Sequence, residues 1–415
     1  MKFAIISDTH FGDDNCTLVS TENDKIVEGP KYEDFKKAAG KGNRYLILAG
    51  DILDFSIASY EKAYRYAQFF FQKVKDDNIA DEIIYLAGNH DADIWHIIQH
   101  QRNVIKRLED EKLPKAYKHS VPGIIDDREG SPDRNLILYG VTPRQEPGKP
   151  RYGGMFLDKI TEPETVFNIA YPNLYVVTDS DSVLVTHGQY LEHYWALLGE
   201  ILPKIANDDL KIGSVDVEEM IEMNFPLNQL ACTGIGQAEV LTRVVRQVEH
   251  NVKDGDFHRV RKYLDRLEKE IDEITDYRWL KELIVDYIIK KIKEEFLTSV
   301  ERVRETRYSE EFIYEKDVRE RFGRFYNASL LEIGDINSKT KHDIPAPWRV
   351  IFGHTHQPIP WNDPKPPKFD SVSSAAPKPL TLHNTGGWLS EKSRFCGAEV
   401  FIYETDKGFT SISIR

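Results

Sequence analysis

Short apolar runs, each followed by a polar cluster, dominate the first hundred residues of the chain. The runs at residues 3–6, 45–49 and 82–87 have the length and composition of buried strands. Apolar residues after the second and third runs recur at helical spacing, from Tyr60 to Phe71 and from Ile94 to Leu108. The order of strand, polar cluster and helix, three times over, predicts a βαβ arrangement whose sheet is covered on both faces.

Strands are expected again later in the chain. One apolar run, at residues 182–186, ends at His187, and another, at residues 350–352, precedes Gly353. A helix is predicted at 32–39, in an otherwise irregular stretch from 11 to 43. Two short strands are predicted within 112–180, one of them at 135–139. A loop at 358–379, a strand at 380–382 and a closing hairpin of 399–403 with 409–414 complete the prediction.

The residue pattern changes between about residues 190 and 341, where the chain is strongly charged and its apolar residues recur at helical spacing. The apolar positions of three such stretches fall within 240–248, 257–274 and 280–288. We interpret this region as an insertion of several helices, with a coiled hairpin among the arrangements it permits.

Five polar clusters follow the predicted strands directly. Because the carboxyl ends of strands in such a sheet meet at one edge, we expect these side chains to converge at one end of one sheet. The clusters are Asp8 with His10, Asp51 with Asp54, Asn89 with His90, His187, and His354 with His356.

These side chains offer oxygen and imidazole nitrogen ligands and no thiolate, a mixture that suits a pair of divalent ions better than a structural zinc. A carboxylate such as Asp51 can bridge two ions about 3.5–4 Å apart. Each residue alone also has an ordinary explanation, since Asp8 and Asp51 could cap turns, Asn89 could occupy a left-handed turn and His187 could be structural. The conjunction of all five clusters favours the metal centre.

The clusters together resemble the signature of the calcineurin-like metallophosphoesterases, in order and in residue type. The resemblance covers roughly residues 1–190 and 345–415 and implies a four-layer α/β/β/α sandwich of two mixed sheets with a dinuclear site. The segments that carry it are Asp8-Thr-His10, Gly50-Asp-Ile-Leu-Asp54, Gly88-Asn-His-Asp91, His187 and Gly353-His-Thr-His356.

The same resemblance implies a role for each residue. It assigns Asp8, His10 and His356 to one ion, Asn89, His187 and His354 to the other, and Asp51 as the bridge. It also implies that His90 faces the substrate and assists the leaving group while Asp54 holds His90. Asp91, where protein serine/threonine phosphatases more typically carry glutamate, separates the chain from that class.

The implied domain organisation is a discontinuous catalytic domain, residues 1–189 and 345–415, interrupted by a helical insertion at 190–344. Both ends of the insertion emerge beside predicted ligands, so a substrate-selecting lid is expected, with an oligomerisation or stability module as the alternative. Further candidates for the pocket wall, or for a structural role, are His193, Tyr194 and Trp195. Candidates for phosphate contacts are Arg144, Arg243 and Arg246. The segment Asn384-Thr-Gly-Gly-Trp388 is expected to be an ordinary glycine turn, with substrate contact or support of the site as the alternatives.

Composition restricts the expected binding partners and the expected cellular compartment. Of 415 residues 30 % are charged and the net charge is −13, which disfavours a general nucleic-acid surface. Three widely spaced cysteines favour a reducing compartment. The first residues show no signal-peptide pattern and no apolar stretch approaches the roughly 18 residues that span a bilayer, so a cytoplasmic protein without a transmembrane segment is expected.

We therefore expect a metal-dependent hydrolase of a phosphate ester or pyrophosphate, with in-line attack by a metal-bridging hydroxide on phosphorus. A phosphorylated small-molecule or lipid-linked substrate is favoured. A nuclease with the same centre and a non-catalytic scaffold are the alternatives. The expected cofactors are two divalent ions, manganese first and iron, zinc or magnesium otherwise, and the helical insertion permits a homo-oligomer.

Overall fold

The structure is a computed structural model that describes residues 1–141, 153–160, 165–205, 215–230, 232, 237, 311–369, 379–391, 394–395 and 397–415. Its strands are β1 (Lys2–Ile6), β2 (Val19–Glu22), β3 (Lys25–Glu28), β4 (Asn43–Ala49), β5 (Ala80–Leu86), β6 (Gly123–Asp126), β7 (Ile137–Leu138), β8 (Val166–Ala170), β9 (Asn173–Val177), β10 (Ser182–Thr186), β11 (Arg349–Phe352), β12 (Lys368–Phe369), β13 (Leu380–Asn384), β14 (Ser390–Glu391), β15 (Arg394–Phe395), β16 (Ala398–Glu404) and β17 (Gly408–Ile414).

Helices connect these strands. They are α1 (Tyr32–Ala39), α2 (Tyr60–Asp76), α3 (Ala92–His100), α4 (Lys106–Glu109), α5 (Met155–Asp158), α6 (His193–Ile205), α7 (Val217–Gln229) and α8 (Lys316–Lys339), with a π-helical turn at Gln101–Ile105 and 3₁₀ turns at Gln189–Leu191 and Phe312–Tyr314. None of the helices in the described residues is both long and apolar enough to cross a lipid bilayer.

Two mixed sheets form the centre of the molecule. The first has the strand order β17-β16-β1-β4-β5-β8, with β1, β4, β5 and β8 parallel and β16 antiparallel to β1. The second has the order β12-β13-β11-β10-β9-β6-β7, with β10, β11 and β13 parallel. One continuous apolar core includes Ile5 and Ile47 from the first sheet and Leu184 and Ile351 from the second. The result is the α/β sandwich of two mixed sheets that the resemblance implies.

The βαβ prediction is confirmed for β1, β4 and β5 with their connecting helices, and α1 has the predicted bounds. The expectation of one sheet is wrong, because β1, β4 and β5 belong to the first sheet and β10 and β11 to the second. Strands of similar apolar composition do not reveal which sheet they join, since pairing partners are distant in sequence.

Two other predictions are wrong in detail. The stretch from 11 to 43 contains the β2–β3 hairpin, whose turn residues Asn23 and Asp24 both have positive φ, as a type I′ turn requires. The stretch from 112 to 180 holds four strands, β6 to β9, in its described residues rather than two. Each of these strands has at most five residues, too few for a clear pattern of alternation.

The predicted insertion is described only in part. Helices α6, α7 and α8 lie within residues 190–344. The apolar stretches at 240–248, 257–274 and 280–288 lie outside the described residues, as do Arg144, Arg243 and Arg246. The bounds of the insertion and its role as a module therefore stay predictions.

Helix α8 is joined to the second sheet by a buried carboxylate. Glu332 accepts hydrogen bonds from the Tyr175 hydroxyl at 2.7 Å, from Asn173 Nδ2 at 3.1 Å and from the Ser120 hydroxyl. Burial raises the pKa of Glu332 to about 6, although these three donors partly offset the effect. The folded protein therefore favours the protonated form of Glu332 more than the unfolded chain does.

This raised pKa predicts a pH-dependent stability difference for Glu332→Gln. Between the ordinary pKa of glutamate and about 6 the folded state binds more protons, so wild type loses this stabilisation as the pH rises. The stability of Glu332→Gln relative to wild type should rise by about 1 kcal/mol between about pH 5 and about pH 7.5. Urea unfolding at both values measures it. Glu320→Gln, on the exposed face of the same helix, is the control, and an equal rise in both variants would contradict the prediction.

Candidate metal centre

The five polar clusters meet where strands of both sheets end. Three of them follow β1, β4 and β5 in the first sheet, and two follow β10 and β11 in the second. The seven predicted ligands all have buried side chains, each no more than 8 % exposed. They are Asp8, His10, Asp51, Asn89, His187, His354 and His356.

Five of these ligand residues have a left-handed backbone, which non-glycine residues seldom adopt. Such a conformation costs on the order of 1–3 kcal/mol and persists only where the surrounding structure enforces it. Its repetition at five positions indicates that the strand ends are shaped to aim side chains at one place. The φ values are 52° for Asp8, 48° for His10, 52° for Asp51, 64° for His354 and 51° for His356.

In the described residues there are three groups of side chains whose members lie close enough together to hold a metal ion. In each group one ligand atom per residue lies within 4.8 Å of the others. Asp51 and His10 each occur in two groups, so the groups overlap. They are Asp8 with His10 and His356, His10 with Asp51 and His90, and Asp51 with His187 and His354.

The first group is built around Asp8. His356 Nε2 lies 3.1 Å from Asp8 Oδ1 and 3.2 Å from His10 Nε2. The backbone N–H of His354 donates to Asp8 Oδ1 at 3.0 Å, and the Ser7 hydroxyl donates to Oδ2. Asp8 therefore has a fixed orientation and faces two imidazoles.

The third group is built around Asp51. His187 Nε2 lies 3.1 Å from Asp51 Oδ2 and 3.1 Å from Asn89 Oδ1. Asp51 Oδ2 also lies 3.9 Å from His10 Nε2, which belongs to the first group. Asp51 thus lies between the first and third groups, and its role as a bridging ligand stays a prediction.

Hydrogen bonds decide which nitrogen of two histidines faces the cluster. His187 Nδ1 lies 3.0 Å from the Ala49 carbonyl oxygen, which can only accept, so Nδ1 must carry the proton. His10 Nδ1 donates in the same way to Asp54 Oδ2 at 2.8 Å. In the neutral ring of each, Nε2 then carries the lone pair toward the cluster, as metal-binding histidines require.

Asp54 holds two histidines rather than one. Besides His10, it accepts from His90 Nδ1 at 2.9 Å through its other oxygen. The Ser56 hydroxyl donates to that oxygen at 2.8 Å and lies 2.6 Å from His90 Nδ1. The family resemblance assigns only His90 to Asp54, so the contact with His10 is an addition from the structure.

Burial and neighbouring charges shift the pKa values of these side chains in opposite directions. Burial alone would raise the pKa of Asp51, but His187 and His90 hold it well below the usual value, and His356 lowers the pKa of Asp8 in the same way. Burial would lower the pKa of the histidines, but Asp54 and Asp51 raise that of His90 to about 10. Asp51 raises that of His187 to about 9. The carboxylates therefore attract positive charge strongly, whether from protons or from cations.

Asp91 joins the loops of the second and third clusters. It accepts from the backbone N–H of Gly88 at 2.6 Å and of Ile52 at 2.8 Å, and from the Tyr85 hydroxyl. Burial and the charge of Asp51 raise the pKa of Asp91 to about 6. Its contacts are with backbone and Tyr85, so the position after His90 supports the site structurally.

At two positions only glycine fits, because a side chain there would overlap neighbouring atoms. Gly50 has a φ of 94°, and a Cβ there would overlap the His187 ring. A Cβ on Gly353 would overlap the carboxylate of Asp8 and the hydroxyl of Ser7. The glycines before Asp51 and His354 therefore let strands of the two sheets approach each other closely.

The segment from Asn384 to Trp388 supports the centre. Asn384 Nδ2 donates to the Gly353 carbonyl at 2.7 Å and to the Thr355 hydroxyl at 3.1 Å. The Trp388 backbone N–H donates to the Asp8 carbonyl at 2.9 Å. This segment is thus more than an ordinary glycine turn, since it fixes the backbone of the first and last clusters.

Gln237 and Cys232 of the predicted insertion touch the loops of the site. Gln237 Nε2 donates to the Phe55 carbonyl at 2.9 Å and the Ala58 carbonyl at 3.1 Å, and its Oε1 accepts from the Tyr60 N–H at 3.1 Å. Cys232 Sγ lies 3.1 Å from the Asn89 carbonyl. No sequence signal marks these contacts, because they join residues more than a hundred positions apart.

The aromatic residues named for the pocket wall start helix α6. His193 Nδ1 lies 2.9 Å from Glu200 Oε2, and the rings of Tyr194 and Trp195 pack edge to face at 4.7 Å. Burial raises the pKa of Tyr194 to about 12. Contact with a substrate stays a prediction for all three.

Residues 1–196 match the family model described as calcineurin-like phosphoesterase. This match supports the assignment of the chain to the calcineurin-like metallophosphoesterase superfamily. The match contains the first four clusters, while His354 and His356 lie beyond it and reach the site through β11. No curated protein matches the chain. Members of this superfamily are generally hydrolases and typically bind two metal ions, and the overlapping carboxylate and imidazole groups fit that cofactor.

Removal of the Asp54 carboxylate should weaken metal binding. Asp54→Asn replaces an acceptor that holds His10 Nδ1 and His90 Nδ1, so the affinity for one Mn²⁺ ion should fall about 10- to 100-fold. Calorimetric titration of the metal-free protein measures it. Ser56→Ala is the matched control, because Ser56 contacts Asp54 and His90 but has no described contact with His10. Equal losses in both variants would show that the contact with His10 is unimportant.

Proposed function

We propose that this metallophosphoesterase hydrolyses a phosphate ester or pyrophosphate bond of a small or lipid-linked substrate, with two divalent ions as cofactors. The observation that carries the proposal is the overlap of the three ligand groups through the buried side chains of Asp51 and His10. Two ions with a shared carboxylate are the arrangement that phosphoryl transfer uses to neutralise charge on phosphorus.

The proposed ligands divide between the two ions. Asp8, His10 and His356 would hold one ion, and Asn89, His187 and His354 the other, with Asp51 shared. When bound, such ions neutralise phosphoryl oxygens and lower the pKa of a coordinated water. The donor chemistry fits this assignment, because hard carboxylate oxygens and imidazoles suit Mn²⁺, Fe²⁺, Zn²⁺ and Mg²⁺. Manganese is the ion we propose for the test.

His90 is the proposed acid on the substrate side. Its side chain is 30 % exposed, more than the 1 % of Asp54 that holds it. Asp54 and Asp51 raise its pKa, so it carries a proton that it can share with an oxygen on phosphorus. Water would attack phosphorus in line with the leaving oxygen, and His90 would stabilise the developing charge or protonate that oxygen.

The group of His10, Asp51 and His90 offers a rival assignment, in which His90 is a metal ligand. One observation favours the acid: the side chain of His90 is the most exposed among the histidines of the centre that form ion pairs. The His90 variant described below separates the two roles.

A cap over the site is the proposed role of the helical insertion. Its described residues Cys232 and Gln237 contact the loops that carry Asn89 and Asp54, so the insertion is connected to the catalytic loops. Selection of small or lipid-linked substrates by this cap, a cytoplasmic location and a homo-oligomer remain parts of the proposal. A nuclease or a non-catalytic scaffold would give different results in the assays below.

Asp51→Asn should abolish metal-dependent hydrolysis, because the amide offers one neutral oxygen in place of the shared carboxylate. The assay follows p-nitrophenyl phosphate and bis-p-nitrophenyl phosphate with metal-stripped protein resupplied with Mn²⁺. Wild type should turn over at least one of them, and the ratio of the two rates indicates monoester or diester chemistry. Asp51→Asn should lose about 100-fold or more in rate.

The exposed variant Glu222→Gln on α7 is the control and should keep the wild-type rate. If wild type binds Mn²⁺ but hydrolyses neither compound, nor nucleotides nor pyrophosphates, the scaffold alternative holds. Preferential cleavage of single-stranded or duplex DNA would favour the nuclease instead.

His90→Ala should lower turnover about 100-fold while two Mn²⁺ ions remain bound, since general acid catalysis contributes about 10²–10⁴-fold. Rate assays and metal analysis of the same sample measure both effects. A substrate with a good leaving group, such as p-nitrophenyl phosphate, should show a smaller loss than a phenyl or alkyl phosphate. Loss of bound metal in His90→Ala would instead assign His90 as a ligand.

A further inference from the structure

Three histidines that are predicted as ligands have, on one ring nitrogen, a partner that is not itself a predicted ligand. For His10 the partner is Asp54, and for His187 it is the Ala49 carbonyl, in both cases on Nδ1. His354 has its partner on the other nitrogen, because Nε2 lies 3.1 Å from Glu192 Oε2. A proton held on Nε2 by this carboxylate places the lone pair of His354 on Nδ1.

Glu192 belongs to none of the five clusters. It lies five positions after His187 and directly before helix α6, the first helix of the predicted insertion. Its side chain is 11 % exposed, and that of His354 is 4 % exposed. A carboxylate so deeply buried is costly unless a charged or hydrogen-bonding partner compensates it, and His354 is such a partner.

We propose that Glu192 is a positioning residue for the second ion of the centre. It fixes the ring orientation and the tautomer of His354, and so leaves Nδ1 as the nitrogen with a lone pair for an ion shared with Asp51 and His187, the other members of its group. This inference rests on the proposed function, because it requires that His354 binds a metal ion.

The segment that carries Glu192 is fixed by the last described helix of the predicted insertion. Arg321 of α8, only 7 % exposed, donates from Nε to the Leu191 carbonyl at 2.7 Å. Glu200 of α6 pairs with His193 at 2.9 Å and also with Arg324 of α8. Helices α6 and α8 therefore hold the backbone beside Glu192, and a displacement of these helices would move the carboxylate away from His354.

The rival role for Glu192 is that of a direct ligand. The two roles differ in what a glutamine at this position can do. The oxygen of a glutamine side chain can still accept a hydrogen bond from His354 Nε2–H, so positioning survives in part. A neutral amide is a much poorer ligand than a carboxylate, so direct ligation would be lost.

The test is a calorimetric titration of metal-free protein with Mn²⁺, without any substrate. Wild type should bind two ions. Glu192→Ala should bind one of them about 10- to 100-fold more weakly and the other as wild type does. Glu192→Gln should recover most of the lost affinity, and the exposed Glu222→Gln control should match wild type. Thermal unfolding of each metal-free variant checks that it is folded.

Each outcome decides one point. Unchanged affinity in Glu192→Ala overturns the inference and leaves the proposed function intact. A loss in Glu192→Gln as large as in Glu192→Ala assigns Glu192 as a ligand and also overturns it. If wild type itself binds no Mn²⁺, the proposed function fails first. Should Glu192→Ala fail to fold, Glu192→Leu fills similar space without an acceptor and replaces it in the titration.

Discussion

The centre depends on three carboxylates, Asp8, Asp51 and Asp54, that are buried together at the meeting point of two sheets. Buried negative charges so close to one another repel and lose their hydration, so they require positive charge within a few ångströms. The imidazoles that surround them supply that charge when protonated, as the raised pKa values of His90 and His187 show. Divalent cations satisfy the same requirement and leave the imidazoles neutral, as metal ligands must be.

The fold meets this requirement at some cost in backbone energy. Five of the proposed ligand residues adopt left-handed conformations, and two glycines are required because any side chain there would overlap a proposed ligand. Strain of this kind is retained where it places reactive groups, so its concentration at the ends of β1, β4 and β11 is consistent with the proposed hydrolytic function. At two of these ends Asn384 donates a hydrogen bond to the Gly353 carbonyl after β11, and Asp91 accepts one from the Ile52 N–H after β4, so neighbouring loops are held together.

Specific hydrogen bonds join the predicted insertion to the centre. Cys232 and Gln237 bond to the loops of the second and third clusters, and Glu192 bonds to a histidine of the fifth. The predicted insertion and the proposed metal site are therefore connected through backbone carbonyls and one carboxylate. A connection of this kind would let the geometry of the site depend on the position of the insertion, which supports the proposed lid over a remote oligomerisation module.

Local patterns in the sequence determined much of this protein. An apolar run followed by Asp8, Asp51, Asn89 or His187 is a local feature, because a strand end and the polar residues after it are neighbours in the chain. The central strands, helices α1 and α2 and the set of clustered ligand residues were predictable for that reason. The assignment of each ligand to an ion came from the family resemblance and remains a proposal.

Only the tertiary structure decided how these pieces combine. It placed the clusters on two sheets instead of one, added His10 to the partners of Asp54, and brought Glu192 and Asn384 to the centre. Each of these facts depends on pairing or hydrogen bonding between residues far apart in the chain. The free energy of such contacts comes from burial and complementary geometry, and a one-dimensional pattern of apolar and polar residues carries no information about that geometry.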